Sequence, residues 1–203
     1  REYAAATVRT YSLAGFWKQA ARYVRYCYPA AGFDLASLHS QMARLYWYQG
    51  KLRNAAACMQ SALRILPEDS PLYSKYCLQA ADIWFYRGKR EKAARMAQKA
   101  WGGQKEGEET EQANWRTDGG LRRLYELGTL YLYRGDLSKA WALAEKMERQ
   151  PHCSDCVYGF CTDARELKAV ILTAQGDFPG AVIILEDILE ESPMDLDVKM
   201  KIT

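Results

Sequence analysis

Tyr46-Trp47-Tyr48-Gln49-Gly50-Lys51 is a stretch that recurs along the chain. It returns as Trp84-Phe85-Tyr86-Arg87-Gly88-Lys89 and again as Tyr131-Leu132-Tyr133-Arg134-Gly135-Asp136. In each copy, large side chains occupy the positions two, three and four residues before a glycine. The glycine therefore serves as an index for the rest of the sequence.

Five glycines index related segments at intervals of 35, 38, 47 and 41 residues: Gly15, Gly50, Gly88, Gly135 and Gly176. An alanine follows each glycine by five positions: Ala20, Ala55, Ala93, Ala140 and Ala181. Seven positions before the glycine the residue is small in four segments and valine in the first: Val8, Ala43, Ala81, Gly128 and Ala169. Such self-similarity predicts a repeat of about 34 residues with insertions.

Each of these positions has a physical reason. The glycine ends the first of two helices, because a left-handed C′ conformation carries little steric penalty for glycine. The alanine and the small residue lie where two antiparallel helices cross, since only small side chains allow axes to approach to about 8–10 Å. Pro67 and Pro193, seventeen positions after their glycines, end the second helix.

With this spacing the residues resemble the tetratricopeptide repeat (TPR) family, whose unit is a helix-turn-helix. The resemblance implies an all-α fold, a right-handed superhelical solenoid of about five repeats that forms a single domain over residues 1–203. The repeats are expected near residues 1–32, 36–69, 74–101, 121–152 and 162–195. The Gly- and Glu-rich composition of residues 102–120 predicts an exposed loop between the third and fourth repeats.

The family resemblance also implies a binding module whose concave face, lined by the first helices, holds a peptide or protein partner. The inward positions precede each glycine by two, three, six and ten residues. Tyrosine recurs two positions before the glycine. This residue suits a partly hydrated binding surface and equally suits packing between repeats. The candidate partner-binding residues are Arg44, Trp47, Tyr48, Asp82, Phe85, Tyr86, Tyr125, Thr129 and Tyr133.

Composition excludes several classes of protein. Apolar residues make up 49% of the 203, enough for a sizeable core. The net charge is +3 with both signs mixed along the chain, so direct nucleic-acid binding is not expected. No apolar run approaches the roughly 20 residues that span a bilayer and no signal segment opens the chain, so a soluble protein is expected. Three of the six cysteines lie in apolar helical patterns, where a reduced thiol acts as a small apolar group, so a cytoplasmic protein is expected. The start at Arg1 suggests a processed chain or a piece of a longer one.

A cysteine-rich segment is the one local candidate for metal chemistry. Cys153 and Cys156 form a Cys-x-x-Cys pair, and His152 and Cys161 could complete four zinc ligands. A disulfide between Cys153 and Cys156 is a second interpretation, and a plain connection between helices with free thiols is the favoured one. We therefore expect no metal and no cofactor.

No Gly-rich phosphate loop, Ser-His-Asp set or paired carboxylates stand out, so the chain is not expected to be an enzyme. The leading hypothesis is a scaffold that binds a protein or peptide through a concave aromatic groove. The alternative is a sensor or oligomerisation domain of a larger multidomain transcriptional regulator.

Overall fold

A computed structural model describes residues 7–8, 10–12, 14–30, 34–102, 118–149, 160–191, 193, 198 and 201–202. Within these ranges every regular element is helical, which confirms the all-α prediction. Residues 7–8 and 10–12 are helical and precede the full helices. These are α1 Trp17–Ala30, α2 Leu35–Tyr48, α3 Leu52–Ile65, α4 Tyr73–Tyr86, α5 Arg90–Trp101, α6 Asp118–Arg134, α7 Leu137–Glu148, α8 Phe160–Gln175 and α9 Phe178–Glu191.

The index glycines form the turn between the two helices of each repeat. Gly50 has φ +66°, and its N–H donates to the carbonyl of Trp47 at 2.9 Å. The N–H of Lys51 donates to the carbonyl of Tyr46, also at 2.9 Å, which completes a Schellman motif. The other four index glycines have φ between +70° and +89° and the same pair of bonds, and the next helix begins two residues after each. The predicted left-handed turn is therefore confirmed at all five positions.

The alanine that follows each glycine lies in the helix crossing. The exposed fraction is 0% at Ala20, Ala55, Ala93 and Ala140 and 3% at Ala181. The helices pack in the pairs α2 with α3, α6 with α7 and α8 with α9. Larger side chains at these alanines would hold the paired helices apart, because each alanine lies at or close to full burial.

A sixth glycine with positive φ ends the second helix of the third repeat. Gly102 has φ +70°, and its N–H donates to the carbonyl of Lys99 at 3.2 Å. No proline stands at this point, and the glycine takes its role. The predicted exposed loop falls mostly on residues 103–117, which lie outside the described residues, and α6 begins at Asp118.

The chain divides into two compact units, residues 1–93 and residues 94–203. In the first unit, α2 packs against α1 and α3, and α3 packs against α4. Its core contains an apolar cluster drawn from the residues before α1, from α1 and from α2: Val8, Ala20, Val24, Met42 and Leu45. The expectation of a single domain stays a prediction.

The first helices of the second and third repeats, α2 and α4, lie side by side and run parallel. Ser40 Oγ donates to Gln79 Oε1 at 3.3 Å, and the Tyr76 hydroxyl donates to Ser37 Oγ at 3.4 Å. Both pairs are 39 residues apart, whereas Gly50 and Gly88 are 38 apart. Each residue of α2 therefore faces the residue of α4 that lies one position after its equivalent in the repeat.

In the second unit, α8 contacts α6, α7 and α9. Its Lys168 donates to Glu148 Oε2 at 2.5 Å, and its Nζ lies 5.0 Å from the ring centroid of Trp141 in α7. In the segment beyond α9, Val198 is fully buried in the cluster formed by α8 and α9. An ion pair from Lys201 to Glu166 holds this segment to α8.

Candidate functional site

The nine candidate residues lie on the first helices of three repeats. Arg44, Trp47 and Tyr48 are on α2, and Asp82, Phe85 and Tyr86 are on α4, so these six belong to the first unit. Tyr125, Thr129 and Tyr133 are on α6, in the second unit. The structure brings Trp47, Phe85 and Tyr86 together, and it pairs Arg44 with Tyr48.

An aromatic cluster joins α2 to α4. The rings of Trp47 and Tyr86 meet edge to face, with centroids 5.2 Å apart and planes at 81°. Phe85 meets Tyr86 at 5.5 Å and 87°. Trp47 is only 5% exposed, whereas Phe85 and Tyr86 are partly exposed. Trp47 thus forms the buried base of the cluster, and the two α4 rings form its accessible part.

A charged and a phenolic group lie beside this cluster on α2. The Arg44 guanidinium donates to the Tyr48 hydroxyl from Nη2 at 2.7 Å and from Nε at 3.1 Å. Its Cζ is 5.7 Å from the centroid of the Tyr48 ring. Donation to the hydroxyl places the guanidinium at the rim of that ring, so the interaction is a hydrogen bond rather than stacking over the ring face. Tyr48 is held in one position as a result.

Asp82 brings the opposite charge on α4. Arg44 and Asp82 are equivalent positions, each six residues before its glycine, on neighbouring parallel helices. Burial raises the pKa of the Tyr86 phenol well above its usual range, and the nearby Asp82 carboxylate raises it further. At neutral pH, Tyr86 is therefore a neutral hydroxyl that can donate or accept a hydrogen bond.

The three candidates on α6 are more deeply buried. Tyr133 is 4% exposed and Thr129 is 2% exposed, while Tyr125 is partly exposed. The Thr129 hydroxyl has no hydrogen-bond partner among the described residues. Glu126, which sequence analysis missed, is also buried on α6 and pairs with Arg123 at 3.3 Å. The one feature of the sequence that could have identified Glu126 is a carboxylate within an otherwise apolar helical pattern.

The metal candidates cannot be placed. His152, Cys153 and Cys156 lie outside the described residues, as does the side chain of Cys161. Elsewhere, no three His, Cys, Asp or Glu side chains in the described ranges group closely enough to hold a metal ion. Cys58 is a free thiol, and Cys77 is buried. Burial raises the pKa of the Cys58 thiol, and the nearby charge of Arg25 partly opposes this.

Membrane insertion through a helix finds no support among the described residues. None of their helices has both the length and the apolar character needed to cross a bilayer.

Comparison with protein families identifies part of the chain directly. Residues 125–195, which cover α7, α8, α9 and most of α6, match the family model described as tetratricopeptide repeat. Members of this family are usually non-enzymatic scaffolds, and the repeat generally mediates interactions between proteins. Among curated proteins, none matches the sequence.

Solved structures extend the likeness to nearly the whole chain. BtubC (BKLC) from P. vanneervenii aligns with a TM-score of 0.62 and 19% identity, over 92% of this chain and 77% of that one. A single-substitution form of the nearly identical TPR-like repeats attributed to a kinesin light chain of Podosopora anserina aligns with a TM-score of 0.56 and 15% identity, over 96% of both chains. A second structure of those repeats aligns at 0.55 and 14%, over 100% of this chain and 97% of that one. At these identities the likeness shows the fold, which is that of TPR-like repeats.

Proposed function

We propose that this protein is a non-enzymatic scaffold that binds a peptide or protein segment in a concave aromatic groove on the first helices of its first unit. The observation that carries the proposal is the packing of Trp47 under Tyr86, with Phe85 beside it. We call the accessible part of this groove the aromatic face and define it by Arg44, Tyr48, Asp82, Phe85 and Tyr86.

The rigidity of the aromatic face supports binding. The Trp47 ring contacts the Tyr86 ring edge to face, and two hydrogen bonds from Arg44 hold Tyr48. Rings that are already ordered lose little conformational entropy when a ligand contacts them, so more of the contact free energy appears as affinity. Tyrosine also combines an apolar ring with a polar hydroxyl, as binding surfaces require.

The charges of the aromatic face indicate the chemistry of its ligand. Arg44 supplies a cation and Asp82 a carboxylate at equivalent positions on adjacent helices. An apolar side chain of the ligand would pack on Phe85 and Tyr86, while polar groups of the ligand would pair with the two charges. The proposed ligand is therefore a mixed apolar and polar segment rather than a uniformly charged one.

The candidates of the second unit take a lesser part in the proposal. Tyr125 is partly exposed, and it packs on the cluster of Leu124, Met147 and Ala164. Thr129 and Tyr133 are buried behind it and would act by supporting α6. Tyr125 stays a proposed partner-binding residue of the second unit, considered by itself.

A selected peptide tests the aromatic face. Peptides would be isolated from a phage-displayed random library on the wild-type chain, and their affinity measured by fluorescence anisotropy. Tyr48→Ala with Phe85→Ala should weaken binding by about tenfold or more, the loss typical of buried aromatic contacts. Trp47 is left unchanged because truncation of a buried Trp typically costs about 3–5 kcal/mol of stability.

The matched control is Gln60→Ala with Arg64→Ala, two exposed positions on α3. This variant should bind the same peptides with wild-type affinity, and far-ultraviolet circular dichroism should show equal helicity in all three proteins. Peptides that bind the Tyr48 and Phe85 variant as tightly as the wild type would refute the aromatic face.

The alternative function and the cellular location stay predictions. A sensor or oligomerisation domain of a transcriptional regulator would be accompanied by a DNA-binding or nucleotide-binding segment in the same polypeptide. The proposed cytoplasmic location can be checked by fractionation.

A further inference from the structure

Charge is divided unequally between the two units. Residues 1–93 contain 14 Lys and Arg against 6 Asp and Glu, whereas residues 94–203 contain 14 against 19. The formal charges are therefore +8 and −5, and the total of +3 conceals the difference. The expectation that the two signs are mixed along the chain is wrong at the level of the units.

Basic side chains of the first unit concentrate at the turns between paired helices. We define the turn edge by five exposed residues in or just after three successive turns: Lys18, Lys51, Arg53, Lys89 and Arg90. Because α2 and α4 run parallel with an offset of one residue, the turns at Gly50 and Gly88 lie side by side. Glu91 is the one acidic residue in the first turns of α1, α3 and α5.

Two further cations near the turn edge are engaged elsewhere. The charged groups of Arg87 and Lys92 each lie 4.5 Å from the ring centroid of Trp84, so both make cation–π interactions with that ring. They are therefore left out of the turn edge.

The turn edge departs from the usual electrostatics of helix starts. The amino end of a helix carries partial positive charge and favours acidic side chains. The second unit follows this rule, since Asp136 and Asp177 occupy the position after the glycine. Asp177 accepts a hydrogen bond from the Gly180 N–H at 3.0 Å. The first unit has Lys51 and Lys89 at that position, which adds positive charge to positive helix ends.

We propose that the turn edge is a docking surface for an acidic segment of a protein partner, separate from the aromatic face. Neighbouring helices lie about 8–10 Å apart, so cations recur along the edge at about that interval. A peptide in the polyproline II conformation advances about 3.1 Å per residue with three residues per turn, so every third side chain faces the edge and meets the next turn. A segment with acidic residues at that spacing matches the turn edge both in charge and in the distance between successive charges.

An acidic polypeptide fits this edge better than single-stranded nucleic acid. Sites for single strands alternate cations with aromatic platforms on which successive bases stack. Phe16 is 52% exposed in the first turn. The equivalent positions of the next two turns are Lys51 and Lys89, so no aromatic ladder accompanies the cations.

A designed peptide tests the proposal. The probe is a fluorescein-labelled peptide of about 15 residues with Glu at every third position among Ser and Gly, and its control has Gln in place of Glu. In about 50 mM salt, the Glu peptide should bind saturably and the Gln peptide should not. Binding should be lost at about 300 mM salt, where exposed charges are more strongly screened.

Charge reversal locates the binding surface. Lys51→Glu with Lys89→Glu should weaken binding of the Glu peptide by about fivefold, as expected for loss of two exposed ion pairs. Arg64→Glu with Lys75→Glu changes the net charge equally at exposed positions on the opposite ends of α3 and α4, and should have little effect.

Three results would overturn the proposal: no binding of the Glu peptide, equal loss in the two variants, or tighter binding of a single-stranded or duplex oligonucleotide of equal charge. Circular dichroism of each variant confirms that the fold is intact.

Discussion

Replacing Gly128 with alanine is expected to destabilise the protein, although alanine is the better helix former. Gly128 lies within α6, where a Cβ atom would stand 2.7 Å from Leu167 Cδ2 and 3.7 Å from Leu143 Cβ. Ordinary carbon contacts are about 3.5–4.0 Å, so the Leu167 side chain would have to move. Leu167 is 3% exposed and has little room to do so.

The magnitude follows from two opposing terms. Alanine in place of glycine within a helix gains about 1 kcal/mol. Forcing an extra methyl group into a packed core costs about 1–3 kcal/mol. The expected net effect is a loss of about 1 kcal/mol in the free energy of unfolding. Leu167→Ala removes the obstructing side chain, so in that background Gly128→Ala should instead stabilise by about 1 kcal/mol.

Urea denaturation followed by far-ultraviolet circular dichroism measures both steps of this double-mutant cycle. Ala142→Gly, at an exposed position of α7, calibrates the helix-forming term in the same protein. Stabilisation of the wild type by Gly128→Ala would refute the argument, because it would mean that Leu167 does not occupy the space beside the glycine.

Two further predictions concern the turns and the aromatic face. Gly50→Ala should cost about 1–2 kcal/mol through backbone strain alone, because φ is +66° and a Cβ there meets no atom within 4 Å. Gly50→Asn should cost less, and urea denaturation measures both. Tyr86 has a raised pKa when folded, so it stays protonated above the pH of about 10 at which the unfolded chain ionises. Its contribution to stability is therefore level below that pH and declines above it. Tyr86→Phe should flatten this part of the profile, whereas an unchanged decline would contradict the assignment.

The turns were predictable because they depend on local sequence. The Schellman motif at Gly50 involves atoms from Tyr46 to Lys51, and only glycine adopts its positive φ without strain. The pattern around one glycine therefore sufficed to place the others. The positive φ of Gly102 was not predicted, because this glycine lacks the large residue and the alanine that mark the index glycines.

How deeply each candidate residue is buried was less predictable. Helical periodicity places Trp47 on the same side of α2 as Arg44, but it does not tell how far the neighbouring helix covers the ring. That coverage depends on Tyr86, 39 residues away, and on a register that differs by one residue from the spacing of the turns. Thr129 and Tyr133 were predicted as binding residues by the same periodicity and are buried. Periodicity therefore predicts on which side of a helix a side chain lies, while its exposure depends on packing between repeats.

The constant distance from each index glycine to the next helix has a consequence for how such a chain can diverge. A helix begins two residues after each of the five glycines, yet the intervals between glycines range from 35 to 47 residues. The differences in length therefore lie at the junctions between repeats and not in the turns. An inserted epitope or reporter would be tolerated between α3 and α4, in residues 66–72, and would disrupt the protein if placed in a turn.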